Sequence, residues 1–149
     1  MKFILCFLLI SFANCQSLAV RKIDRSGITN IPFEDQFHYP FSLIKNNFLV
    51  IDTQEKMDQI FAVIHQKTDG GRLAPIPTVT PYETYIIIKP VLKNSNDIII
   101  QNVSLNNKVL TVTIKEFDNP DFKKESRTSP DVLFKLMKKV SVKKITTQY

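Results

Sequence analysis

The chain has 149 residues, of which 44% are hydrophobic and 23% charged, and a formal net charge of +6. That length suits one domain, and the composition excludes a disordered tail, a collagen-like fibre and a multi-span membrane protein. Two His, two Cys, three Gly and no Trp leave little material for metal clusters, thiol chemistry or glycine-rich phosphate loops, so neither a metal nor a cofactor is expected.

Lys2 is followed by the apolar run Phe3 to Ala13 and then by Asn14-Cys15-Gln16-Ser17. A basic residue, a short apolar run and a small-residue site make the layout of a secretory signal peptide. Eleven helical residues span about 16 Å at ~1.5 Å each, short of a ~30 Å hydrocarbon core, so no transmembrane span is predicted. Residues 1–15 are therefore read as a leader, with Ala13 and Cys15 at −3 and −1 if cleavage precedes Gln16. The alternative is a lipoprotein signal in which Cys15 is acylated and kept as the first mature residue. The expected location is periplasmic or secreted, with anchoring in the cell envelope only if Cys15 is lipidated. No Cys follows position 15, so the exported part is expected to hold together by its core alone.

Residues 16–47 read as a short strand at 18–24 and then an irregular connection. Gly27, Pro32 and Pro40 break its periodicity, and Phe33, Phe37, Tyr39 and Phe41 are placed to plug the main core. Residues 48–149 read as the α+β domain. Phe48 to Ile51 is a strand. A helix follows, with Asp52 as cap and Glu55 three residues on. Met57, Ile60, Phe61 and Ile64 form its apolar stripe, and Gly70-Gly71 is expected to end it.

Pro75, Pro77 and Pro81 make Arg72 to Pro81 an extended connection. Tyr82 to Leu92 and Ile98 to Val103 read as strands. Lys108 to Phe117 alternates, with Leu110, Val112 and Ile114 on one face and Val109, Thr111 and Thr113 on the other. With Asn106-Asn107 as the turn, Leu105 to Ile114 is a predicted hairpin. Asp118 to Pro130 is a polar loop and Val132 to Val142 a last strand. The predicted architecture is one main amphipathic helix packed on a mainly antiparallel sheet.

This order of parts resembles the PrcB-like C-terminal domain family, small exported bacterial domains named for a subunit of a protease complex. The positions that carry the resemblance are Phe48 to Ile64, Ile87-Ile88, Asn107 to Ile114 and Ser129-Pro130-Asp131-Val132-Leu133, within residues 45–145. The chain departs from the family near Lys89-Pro90-Val91-Leu92, where no Thr-Gly-Gly-Tyr-like segment occurs. The resemblance implies an accessory or stabilising role toward a protease and transfers no catalytic residue.

The chemistry-bearing residues point the same way. Nucleophilic hydrolysis needs a Ser, Thr or Cys beside a base, and no Gly-x-Ser-x-Gly elbow is present. His38 and His65 are the only imidazoles, the first in an aromatic stretch and the second on a helix flank. Their separation fits no zinc site, and Asp118-Asn119-Pro120-Asp121 reads as a turn rather than a calcium loop. Glu34, Asp35, Glu83, Asp97 and Glu116 leave a carboxylate-pair hydrolase as a formal alternative, because their separation is a property of the fold.

The chain is thus predicted to be a non-enzymatic module that binds a protein, an exported protease in the most specific form. The predicted contact segment is Arg72, Leu73, Pro75, Ile76 and Pro77, since an extended Pro-bearing loop loses little entropy on docking. The alternative binding function uses Lys138, Lys139, Lys143 and Lys144 to grip anionic cell-envelope polymers. Nucleic acid is not an expected partner, because export separates the chain from it and no aromatic-basic strand motif is present.

Overall fold

A computed structural model describes residues 27–68, 73–122 and 130–149, where the apolar runs assort into strands around one helix. In chain order these are β1 (Thr29–Asn30), β2 (Phe33–Tyr39), β3 (Phe48–Ile51), α1 (Gln54–Lys67), β4 (Thr84–Ile88), β5 (Asp97–Asn106), β6 (Val109–Phe117), β7 (Asp131–Leu136) and β8 (Lys144–Gln148). They form two four-stranded sheets, a central one ordered β2-β7-β4-β3 and an outer one ordered β1-β5-β6-β8. Pairing is antiparallel except between β6 and β8. The α+β class is as predicted, with a second sheet added.

The two inner strands of the central sheet, β4 and β7, are buried on both faces, which explains why Tyr85 to Ile88 and Val132 to Phe134 are continuous apolar runs rather than alternating ones. Ile86, Ile88, Val132, Phe134 and Leu136 pack against Ile98, Ile100, Val103, Leu110, Val112 and Ile114 of the outer sheet. Ile51, Tyr85, Ile87 and Leu133 project the other way, onto Met57, Ile60, Phe61 and Ile64 of α1. The layers are therefore helix, central sheet and outer sheet. Burying a side chain of this size contributes about 1.5–3 kcal/mol, and Phe134, Ile86, Ile87 and Leu133 are each fully enclosed.

Several local expectations change. The connection expected to be irregular contains two strands, because Thr29–Asn30 and Phe33–Tyr39 join the outer and central sheets, while residues 40–47 are irregular. Phe33, Tyr39 and Phe41 plug the two cores as predicted, but Phe37 stays 47% exposed. The helix cap is Thr53, whose side chain accepts from the Lys56 N–H, and the helix ends at Lys67 with Thr68 as C-cap. Asp52 instead pairs with the Lys56 ammonium at 2.7 Å.

The predicted last strand, Val132 to Val142, ends early at Leu136, and a further strand, β8, follows it in the other sheet. Residues 137–143 leave β7 of the central sheet and carry the chain to β8 of the outer one. The hairpin turn is Asn107-Lys108, with φ of 46° and 66°, the left-handed pair that suits strand twist in a two-residue turn. The leader, the strand at 18–24 and Gly70-Gly71 lie outside the described residues. Among those residues no helix is long and apolar enough to cross a membrane.

Candidate functional site

The proline-bearing connection after α1 is an extended segment held from outside. The Gln54 carboxamide grips it at two points, donating from Nε2 to the Pro77 carbonyl (3.2 Å) and accepting at Oε1 from the Val79 N–H (2.8 Å). His65, three turns further along the helix, donates from Nε2 to the Ala74 carbonyl at 2.9 Å and stands edge-on to Phe61. Both side chains come from one rigid helix, so the segment between them is spread along its surface. Leu73 is 58% and Ile76 43% exposed, Pro75 is exposed and Pro77 half-buried. Arg72 lies outside the described residues. Proline pre-sets φ, so such a segment has little freedom left to lose on binding.

The lysines divide into two groups. Lys138 and Lys139 sit in the β7–β8 connection, both exposed, and the Lys139 ammonium donates to the Asp52 carbonyl at 3.2 Å. Lys143 precedes β8 and Lys144 opens it, and their N–H groups both point to the Lys108 carbonyl, at 2.8 and 3.4 Å. This brings Lys108 beside them, a residue that sequence reasoning did not single out. The signal was its place in a turn, but the partner strand lies 35 residues away in sequence, as the Thr111–Thr146 contact of the same ladder shows.

His38, in the aromatic stretch, meets a residue far along the chain. His38 Nδ1 lies 2.7 Å from Asp97 Oδ1 on β5. Asp97 also accepts from the Asn119 side chain at 2.7 Å and the Ile98 N–H at 2.8 Å. Burial alone would raise the Asp97 carboxyl, but His38, Asn119 and Ile98 outweigh it and hold the group below the ordinary carboxylate value. An imidazole oriented by a carboxylate is the base half of a hydrolytic site. Among the described residues, no hydroxyl or thiol is hydrogen-bonded to it. Asn119 otherwise builds a turn, with its N–H on Asn96 Oδ1 (2.6 Å) and its own Oδ1 on the Asp121 N–H (3.0 Å).

The other acids are dispersed. Glu34 pairs with Lys135 at 3.5 Å, and Glu116 caps residues 93–95 through the Ser95 hydroxyl at 2.7 Å and the Lys93 and Asn94 N–H groups. Asp131 faces α1, with Oδ2 accepting from the Leu43 and Ile44 N–H groups at 2.6 and 3.0 Å. Its Oδ1 is buried with no hydrogen-bond partner among the described residues, and burial raises its pKa against the pull of those two N–H groups. Among the described residues no three His, Cys, Asp or Glu side chains converge as a metal site would require.

A shallow groove of about 260 Å³ separates the edge strands β3 and β8, with Phe48, Ile88, Lys89, Val91 and Ile145 in its walls. Tyr149 pins one wall, its hydroxyl donating to the Val91 carbonyl at 2.5 Å and accepting from the Val91 N–H at 3.1 Å.

No protein-family model, no curated protein and no solved structure matches this chain.

Proposed function

We propose that the chain is an exported, non-catalytic protein-binding module that presents residues 73–77 to its partner. The observation that carries this reading is the double hydrogen bond of Gln54. It holds an extended segment on α1 while leaving the side chains of Leu73 and Ile76 in solvent. Large apolar side chains on a constrained backbone are what a partner's pockets can take up at low entropic cost.

An extended backbone with alternating side chains is also what a protease cleft accommodates. An exported protease, bound as accessory or inhibitor, is therefore the most specific form of the proposal. The resemblance to the PrcB-like domains supports it.

The test is to add the purified chain to the protease fraction exported by its own host and follow peptide hydrolysis. The wild type should change the rate or the lifetime of the activity. A Leu73→Asp, Ile76→Asp variant should lose at least about tenfold in potency, the scale of removing one hot-spot contact. Equal effects of variant and wild type, or none from either, would remove the reading.

A further inference from the structure

The segment held on α1 puts one side chain in a special place. Gln54 and His65 stand 11 positions apart on the helix, about 16 Å along its axis, whereas Ala74 to Pro77 spans at most ~11 Å. Holding the segment from both sides therefore keeps it straight. Ile76, 43% exposed, lies between the two holds with a proline on either side, Pro75 and Pro77. Leu73 is more exposed but lies outside the held span, so docking it would order more backbone.

With Ile76 seated in a protease's primary pocket, the bond presented for cutting is Ile76–Pro77. Cleavage needs a carbonyl that enters an oxyanion hole and a leaving nitrogen that a general acid can protonate. Here the nitrogen belongs to a proline ring, which crowds it and removes its N–H. The carbonyls on either side of the site are also engaged, Ala74 by His65 at 2.9 Å and Pro77 by Gln54 at 3.2 Å. A cut would moreover be reversed. Both new ends remain tied to one helix, so the freed Pro77 amine stays beside the Ile76 acyl group. Its nitrogen displaces the enzyme's nucleophile, the N–C bond re-forms, and the amine proton passes to the nucleophile. Well-oriented intramolecular attack has an effective molarity of about 10⁵–10⁸ M.

We propose that Ile76 fills the primary pocket of an endopeptidase that takes aliphatic side chains, and that the chain inhibits this enzyme without being consumed by it. The inference rests on the reading of residues 73–77 as a protease contact. It adds the anchor, the chemistry of the pocket and the direction of the effect. A pocket built for a cationic side chain is not the match, because an aliphatic anchor would leave its buried carboxylate unpaired.

The test is to titrate the chain against the peptide-hydrolysing fraction exported by its host, following both residual hydrolysis and the intact mass of the chain. The wild type should inhibit and keep its full mass. Ile76→Ala should weaken inhibition by at least about tenfold, and Leu73→Ala by less than about threefold, the contrast between an anchor and its surroundings. A Gln54→Ala, Pro77→Ala variant loses both the ring and the hold on residue 77. It should inhibit at first, then be cut between residues 76 and 77 at least about tenfold faster than the wild type. Circular dichroism checks that each variant is folded, and the two single variants carry the test if the double one is not. Cutting of the wild type at that bond as fast as the double variant, or an equal loss from Leu73→Ala and Ile76→Ala, would overturn the proposal. Faster hydrolysis in the presence of the chain would overturn it too, while leaving the loop reading intact as that of an accessory protein. No effect of the wild type on hydrolysis would remove the loop reading, and this inference with it.

Discussion

His38 and Asp97 are 59 positions apart in the chain and hydrogen-bonded at 2.7 Å. They join β2 of the central sheet to β5 of the outer one at the end opposite the lysines. Asp97 is 1% exposed, so its charge depends on the three donors that surround it. Replacing His38 by Ala removes one of them and should cost about 1–3 kcal/mol, the penalty of leaving a buried acceptor short of a partner. Urea unfolding at neutral pH measures this. An unchanged midpoint would mean that the pair does not tie the sheets.

The two buried aspartates should act on stability with opposite signs. Asp97 titrates below the usual carboxylate value when folded. Its contribution is therefore present above the unfolded pKa of about 3.9 and lost as pH falls through the lower folded value. Asp131 is raised when folded. Its contribution is present below that unfolded pKa and lost as pH rises through the folded value. Asp131→Asn should accordingly gain stability relative to the wild type between pH 4 and pH 7, since Asn can still accept from the Leu43 and Ile44 N–H groups. Denaturation curves at both pH values test the sign, and a pH-independent difference would contradict it.

Gln54→Ala should cost the global stability no more than about 1–3 kcal/mol, because its two hydrogen bonds to the segment are exposed and each is worth roughly 0.5–1.5 kcal/mol. The segment it holds should loosen far more. Limited proteolysis should cut within residues 73–80 faster in the variant, and amide exchange at Val79, whose N–H is bonded to Gln54, should accelerate. Protection equal to the wild type would show that prolines alone order the segment.

Thr53 and Asp52 are adjacent candidates for the helix cap, and their substitutions separate the roles. Thr53→Ala removes the acceptor of the Lys56 N–H and should cost about 0.5–2 kcal/mol. Asp52→Ala removes an exposed pair with the Lys56 side chain and should cost about 0–1 kcal/mol. Thermal melts of the two variants decide the order.

Lys108→Gly should raise stability by about 1 kcal/mol, because it relieves a left-handed lysine. Thermal melts of the variant and the wild type test the sign, and an unchanged or lower midpoint would contradict it.

The helix stripe, the alternation of Lys108 to Phe117 and the unbroken runs Tyr85 to Ile88 and Val132 to Phe134 were readable from residue order, because period and run length report burial directly. The extended loop at 73–77 was readable because proline dictates backbone locally. The cap moved by one residue because Asp52 and Thr53 both carry acceptors, and only backbone geometry chooses between them.

Residue order could not show that the strands divide between two sheets, or that β8 returns parallel to β6. Nor could it show that Gln54 reaches Pro77 and Val79, that His38 meets Asp97, or that Lys108 joins Lys143 and Lys144. Each of these pairs lies far apart along the chain, and their meeting is decided by which faces bury together in three dimensions. Local pattern records that a side chain must be covered; the tertiary fold alone selects what covers it.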